Sequence, residues 1–249
     1  MTAHSVSTVR RLAPSLATLA LAGSAAMAEE PPLPPPRPSM LTTPAKPAAP
    51  PQPPAPPAPA APKAEPDSTC LAKLIADGAT AAAAPAPASV GACGVETPVR
   101  LISITAEGEG VSLPDHPLLA CEFAAVLADY VRLIVAPLGQ SALHAKVVAI
   151  ETGPGYDCRT QNRITGAKIS AHAKGLAVDF MAITLADKRR ILVERQSSAE
   201  EASYFRAIRT AACGWFTTVL GPGSDAFHAN NMHVDIELHG PNASYRICH

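Results

Sequence analysis

The 249-residue chain has almost no net charge, with 20 Lys and Arg against 21 Asp and Glu. That balance leaves no electrostatic case for nucleic acid or an anionic membrane surface as a partner. No apolar run approaches the roughly 20 residues of a membrane-spanning helix, so no integral span is expected once a leader is removed. No segment repeats, which sets aside stacked-repeat architectures. No two cysteines stand at close ligand spacing, which sets aside a cysteine metal cluster. Ser170 has no Ser/His/Asp arrangement around it, so nucleophilic serine catalysis is set aside as well.

What is present divides the chain in three. Residues 1–28 carry Arg10 and Arg11, an apolar run from Leu12 to Leu21 and a closing Ala26-Met27-Ala28, the layout of a cleavable secretory signal peptide. Residues 29–66 form a Pro/Ala-rich stretch with no aromatic side chain. Such a composition buries too little surface to offset its ordering entropy, and a disordered, extended linker is expected. Residues 67–249 are enough for one hydrophobic core. All six cysteines fall in this last part. An even count behind a leader predicts three disulfides in an oxidising, secreted or periplasmic setting. The pairs expected are Cys70–Cys93, from sequence proximity, Cys121–Cys158, and Cys213–Cys248, which would tie down the terminus.

Hydrophobic periodicity within 67–249 predicts an α+β fold: a mainly antiparallel central sheet, helices packed on one face, disulfide staples. Helices are expected from Leu71 to Asp77, from a cap at Asp115 through Ile134 with Pro137 as its stop, and from Ser198 to Cys213, closed by Gly214. Ser198 with Glu201 makes a capping box for the last. Strands are expected over Pro98–Thr105, His144–Ile150, Leu176–Met181, Phe180–Leu185 with Ile191–Glu194 as a hairpin, Val219–Leu220 and Ser244–Cys248. Thr80–Ser89 reads as a loop.

Two polar clusters stand out. In the strand after Gly175, alternation puts Leu176, Val178 and Phe180 on one face and Asp179 on the other. Around Met232, the same parity puts Asn231, His233 and Asp235 together, away from Met232, Val234 and Ile236. Two neighbouring strands would then converge a carboxylate and an imidazole, with His172 arriving from the preceding loop. Three N/O ligands with a fourth position for solvent is the pattern of a catalytic zinc site. The bland alternative is a loop histidine and a structural carboxylate; desolvating an unpaired carboxylate costs several kcal/mol, which weighs against it. His116, His144 and His239 have no partners at ligand spacing and read as surface or capping residues.

The run Ser170-x-His172-x-x-Gly175-x-Ala177-x-Asp179 is preceded by Gly155-Tyr156-x-Cys158-Arg159 and followed by His228 and His233. Together these resemble the bacterial extensin-like C-terminal domain family, from about Cys70 to the closing Tyr245-Arg246-Ile247-Cys248. That family is similar in fold and metal ligands to zinc D-Ala-D-Ala carboxypeptidases, murein endopeptidases and the hedgehog signalling domain. The resemblance implies His172, Asp179 and His233 as Zn2+ ligands, and Arg159 as the anchor of a substrate carboxylate or else a surface ion-pair partner. Many relatives have histidine where Asn231 stands. Asparagine can hydrogen-bond an oxyanion but cannot take a proton, so proton transfer would fall to His228. Asp235 either orients His233 or ends its strand. The implied partner is peptidoglycan or cell-wall peptide, either hydrolysed at a D-amino-acid amide bond or bound by a non-enzymatic envelope scaffold.

Overall fold

Apolar side chains at alternate positions make strands, and ten short strands form one sheet among residues 68–249, the part of the chain that the computed structural model describes. The leader expected over 1–28 and the linker expected over 29–66 lie outside the described residues. In chain order, helix α1 (Ser68–Ala76) leads into β1 (Ala79–Ala83), which pairs antiparallel with β2 (Pro98–Ala106). The alanine-rich start of the stretch expected as a loop is thus an edge strand. Its ladder to β2 outweighs the poor strand propensity of alanine.

Two short strands, β3 (Glu109–Ser112) and β4 (Leu118–Ala120), also pair with β2. The helix expected to be capped by Asp115 therefore begins later, as α2 (Cys121–Tyr130). Asp115 instead accepts the Thr152 backbone N–H at 2.7 Å. Nor does Pro137 end this helix. The chain widens into a π turn over Val131–Val135, with the Ala136 N–H reaching back to the Val131 carbonyl, and continues as α3 (Ala136–Leu143). A proline ring lacks a donor and collides with the carbonyl four residues back in a regular α-helix; a widened turn upstream accommodates it. His144, left-handed at φ 56°, caps α3.

Beyond it come β5 (Val147–Thr152) and β6 (Ala177–Leu185), antiparallel to each other. The two strands expected separately over Leu176–Met181 and Phe180–Leu185 are one, and β7 (Arg190–Leu192) forms the expected hairpin with it. Helix α4 (Ala199–Trp215) starts on Ser198, whose hydroxyl accepts the Glu201 N–H, and runs through Gly214 rather than stopping there. The remaining strands are β8 (Thr218–Leu220), β9 (Met232–Asp235) and β10 (Ile247–Cys248). Their order is β1-β2-β3-β5-β6-β9-β8-β10, with β4 beside β2 and β7 beside β6. Every pairing is antiparallel except β3 with β5 and β8 with β10.

The face of β6 and β9 that carries Val178, Phe180, Met232 and Val234 is fully buried. Tyr130 of α2 stands edge-on to Phe180 and to Phe216. Two buried tyrosines lock the helices: Tyr130 donates to the Ile208 carbonyl at 2.7 Å and Tyr204 to the Val135 carbonyl at 3.1 Å. All six cysteines are paired, but two of the expected bonds are replaced by Cys70–Cys121 and Cys93–Cys158; Cys213–Cys248 is as expected. Nearness along the chain misled because the sheet decides proximity: Cys121 opens α2 beside α1, while the Gly94 N–H bonds the Ala173 carbonyl and so brings Cys93 to the loop of Cys158.

Candidate metal centre

Strand pairing sets Asp179 directly opposite His233. Both project from the polar face of the sheet by the alternation that buries Val178 and Val234 on the other. His172 reaches them from a 3₁₀ turn (Ala171–Lys174), which Ser170 caps by accepting the His172 N–H and Gly175 closes in the left-handed conformation. Glycine is required at 175: a Cβ would stand 2.8 Å from the Ala120 nitrogen. The same holds at Gly155, where a Cβ would meet the Leu118 carbonyl at 2.6 Å.

Three ligand atoms converge. His172 Nε2 lies 3.2 Å from His233 Nδ1 and 3.3 Å from Asp179 Oδ2, and His233 Nδ1 lies 2.9 Å from Asp179 Oδ1. A tetrahedral ion with bonds of roughly 2.0–2.1 Å places its ligand atoms roughly 3.3–3.4 Å apart. The two ring nitrogens and the His172–Oδ2 pair stand near that spacing, His233 meets the other carboxylate oxygen, and one ligand atom from each residue lies within 4.8 Å of the other two. The far ring nitrogens set the tautomers. His172 Nδ1 faces the Gly155 carbonyl at 2.8 Å, which can only accept, so the proton sits on Nδ1 and Nε2 turns a lone pair inward. His233 Nε2 faces Asp235 Oδ2 at 3.0 Å, leaving Nδ1 for the cluster. A carboxylate behind a histidine is the usual support of a metal-ligating imidazole. Electron-rich atoms this close call for a cation between them, and without a metal that cation is a proton.

The electrostatics agree. Burial pushes the His233 pKa down, but the hydrogen bonds to Asp179 and Asp235 and their charges outweigh it and raise the imidazole to about 9. Burial likewise opposes ionisation of Asp179, and the two imidazoles overcome it, holding the carboxyl well below the usual carboxylate range. Asp235 is lowered for the same reason by His233. His172 and His233 are almost sealed, with side chains 5% and 10% exposed, whereas Asp179 is 24% exposed. The cluster therefore opens to solvent on the Asp179 side.

The other expected residues line two adjoining clefts of about 150 and 170 Å³ that share Arg159, Asn162 and His228. The His228 ring lies 5.5 Å from that of His233. Its Nδ1 is held by the Asp225 carboxylate at 2.8 Å, and that carboxylate also accepts the backbone N–H groups of Phe227 and His228. Arg159 donates from Nε to Asp157 at 3.0 Å, and no hydrogen bond engages its terminal nitrogens among the described residues. Asn231 departs from expectation. Its amide NH2 is spent on Asn230 Oδ1 and the Phe227 carbonyl, and the group left without a partner is its buried Oδ1, an acceptor rather than an oxyanion donor. His239 bonds Thr218 Oγ1 at 2.6 Å and stacks on Tyr245.

Sequence reasoning missed Asp225 and the Gly155 carbonyl. The Asp225-x-x-His228 spacing was a readable signal for the first, but no residue type announces a carbonyl. It also passed over Glu237, which continues the alternation of His233 and Asp235. A larger cleft of about 530 Å³ opens around 91–96, Glu122 and Lys174 and holds none of the expected site residues; chemistry rather than size locates the site.

A family model described as extensin-like protein C-terminus matches residues 68–249 of the chain. No curated protein and no solved structure matches it.

Proposed function

Because the chain belongs to the extensin-like C-terminal family, we propose that it is an exported zinc-binding domain that acts on cell-wall peptide and hydrolyses a D-amino-acid amide bond. The observation that carries this reading is the convergence of one ligand atom each from His172, Asp179 and His233 within 4.8 Å of one another, open on the Asp179 side and flanked by a third imidazole, that of His228, held by Asp225. Three disulfides fit an oxidising compartment, and the residues 1–28 add export to it.

A divalent ion bound there supplies Lewis acidity, polarising a carbonyl and acidifying water. The protein's part is to present and to move protons. Gly155 and Asp235 keep protons on the outer ring nitrogens of His172 and His233, so that the inner ones face the ligand side. Asp225 keeps the His228 proton on Nδ1, which frees Nε2 to accept a proton during attack and return it to the leaving amine. Arg159, its Nε committed to Asp157, offers its two terminal nitrogens to a peptide carboxylate in a fork.

One observation favours a second reading, a wall-binding domain that holds its metal as a structural device. With its NH2 engaged by Asn230 and Phe227, the Asn231 amide is not free to donate to a developing oxyanion. The two readings separate on protein purified from an oxidising compartment. Catalysis predicts one zinc per chain and release of soluble peptide from peptidoglycan, abolished by chelation, restored by zinc and lost in His228→Ala with the metal retained. Pull-down by peptidoglycan without release supports the binding domain. Protein that carries no stoichiometric metal overturns both.

A further inference from the structure

After β9 the chain stays extended, and His233, Asp235 and Glu237 fall at alternate positions along it. His233 is a candidate ligand, and Asp235 holds that ligand's outer nitrogen while its other oxygen accepts the Glu237 N–H at 2.9 Å. The Glu237 carboxylate makes no hydrogen bond to the three candidate ligands among the described residues, yet only 7% of the residue is exposed. Its carboxylate accepts Lys174 Nζ at 2.7 Å on one oxygen and Lys168 Nζ at 3.0 Å on the other. These lysines bracket His172, one four residues before it and one two residues after.

We propose that Glu237 is a positioning residue for the metal centre: through Lys168 and Lys174 it clamps both flanks of the segment that carries His172 onto the strand that carries His233. The proposal rests on the metal reading of the cluster. A buried carboxylate is costly unless paired, and here pairing with two ammonium groups outweighs burial and holds the carboxyl below its ordinary range. The lysine side chains remain 55% and 39% exposed, so each ion pair contributes little to global stability. Their effect is geometric. The segment is also tied through its backbone to Gly94, Ala120, Asp157, Arg159 and Gln161, through the His172 ring to Gly155, and through the Leu176 carbonyl to the Ile236 N–H. Of these only the last joins it to the β9 segment, and it lies behind His172, so that among the described residues the Lys168–Glu237 pair is the bond that ties the chain ahead of Ser170 to that segment. Two ligands from separate segments meet at 3.2 Å only if the segments are held in register, and Glu237 is the side chain that bonds to both sides of His172.

The test compares the full chain with Glu237→Gln and with the exposed pair Lys168→Met/Lys174→Met, measuring zinc affinity by chelator competition. Partners behind metal ligands typically alter affinity ten- to a hundredfold, and a loss of that size is expected in both variants. In excess chelator Glu237→Gln lowers the Tm by a few degrees, and the lysine pair lowers it further because it leaves the Glu237 carboxylate buried without a cation. In the metal-free protein the Leu176 amide, bonded to the Ala171 carbonyl, should exchange with solvent faster in both variants. Variants that bind zinc within twofold of the parent overturn the clamp and leave the metal reading standing. A parent chain that takes up no zinc overturns the metal reading first. Should Glu237→Gln fail to fold, the surface lysine pair decides the matter alone.

Discussion

Strands β6 and β9 have two faces built from neighbouring residues under opposite rules. On one, Val178, Phe180, Met232 and Val234 are buried against the helices and need nothing but fit. On the other, His233 and Asp235 are almost as deep and Asp179 is half-buried, and each needs a named partner: Asp179 has two imidazoles, His233 two carboxylates, and Asp235 an imidazole, a backbone N–H and the Thr217 hydroxyl. The apolar face supplies the stability that lets the polar face keep charges out of water. The polar face is specific because any one deletion strands its neighbours.

The sharpest way to break that contrast is at the apolar face. Phe180→Ala should destabilise by about 3–5 kcal/mol, the usual range for a fully buried phenylalanine, seen as a large fall in Tm with or without zinc. If Phe180→Ala changed zinc affinity while leaving the chelated Tm intact, the faces would not divide as stated. Next comes Asp235→Asn, which removes the charge behind His233. A ten- to hundredfold loss of zinc affinity is expected, with a smaller fall in the metal-free Tm than Phe180→Ala produces; unchanged affinity would mean that Asp235 only ends its strand.

The smallest effect is the response to pH. A proton held on His233 stabilises the metal-free fold fully below the ordinary imidazole value of 6.5, and this contribution is lost as pH rises through about 9. Asp179 and Asp235 act in the opposite sense at the acid end. Their lowered values contribute above the ordinary carboxylate pKa of roughly 3.9 and fail as pH falls below it. In chelator the Tm should therefore decline from pH 6.5 to 9, while zinc affinity rises over the same interval because the ion replaces that proton. Calorimetry in buffers of differing ionisation enthalpy counts the proton released. A flat Tm across the interval would place the proton elsewhere.

Where a pattern is local, it was readable. Parity along Leu176–Met181 and Met232–Ile236 put Asp179 and His233 on the face they occupy. The hydroxyl at Ser198 marked the start of α4, because capping is settled within one turn of chain. Reading failed where residue type did not announce the deciding partner, near or far along the chain. Asp115 looked like a cap until Thr152, on another strand, took its carboxylate. Pro137 looked like a stop, yet the helix passes it on a widened turn. Cys93 and Cys121 exchanged their expected partners because strand pairing, not chain distance, brings their loops together. Asn231 was assigned a donor's role from its residue type, but Phe227 and Asn230 had already claimed its NH2.

The amino-acid sequence alone determined which residues are chemically able to hold a metal and on which side of their strands they lie, since both follow from side-chain type and a two-residue period. The tertiary structure decided that these atoms meet at 2.9–3.3 Å, which ring nitrogens point inward, and that Glu237 pairs with the lysines on either side of His172. The meeting of the ligands and the pairing of Glu237 depend on register between strands and on loops closed by disulfides, contacts between residues 51 and more positions apart, which no local pattern encodes.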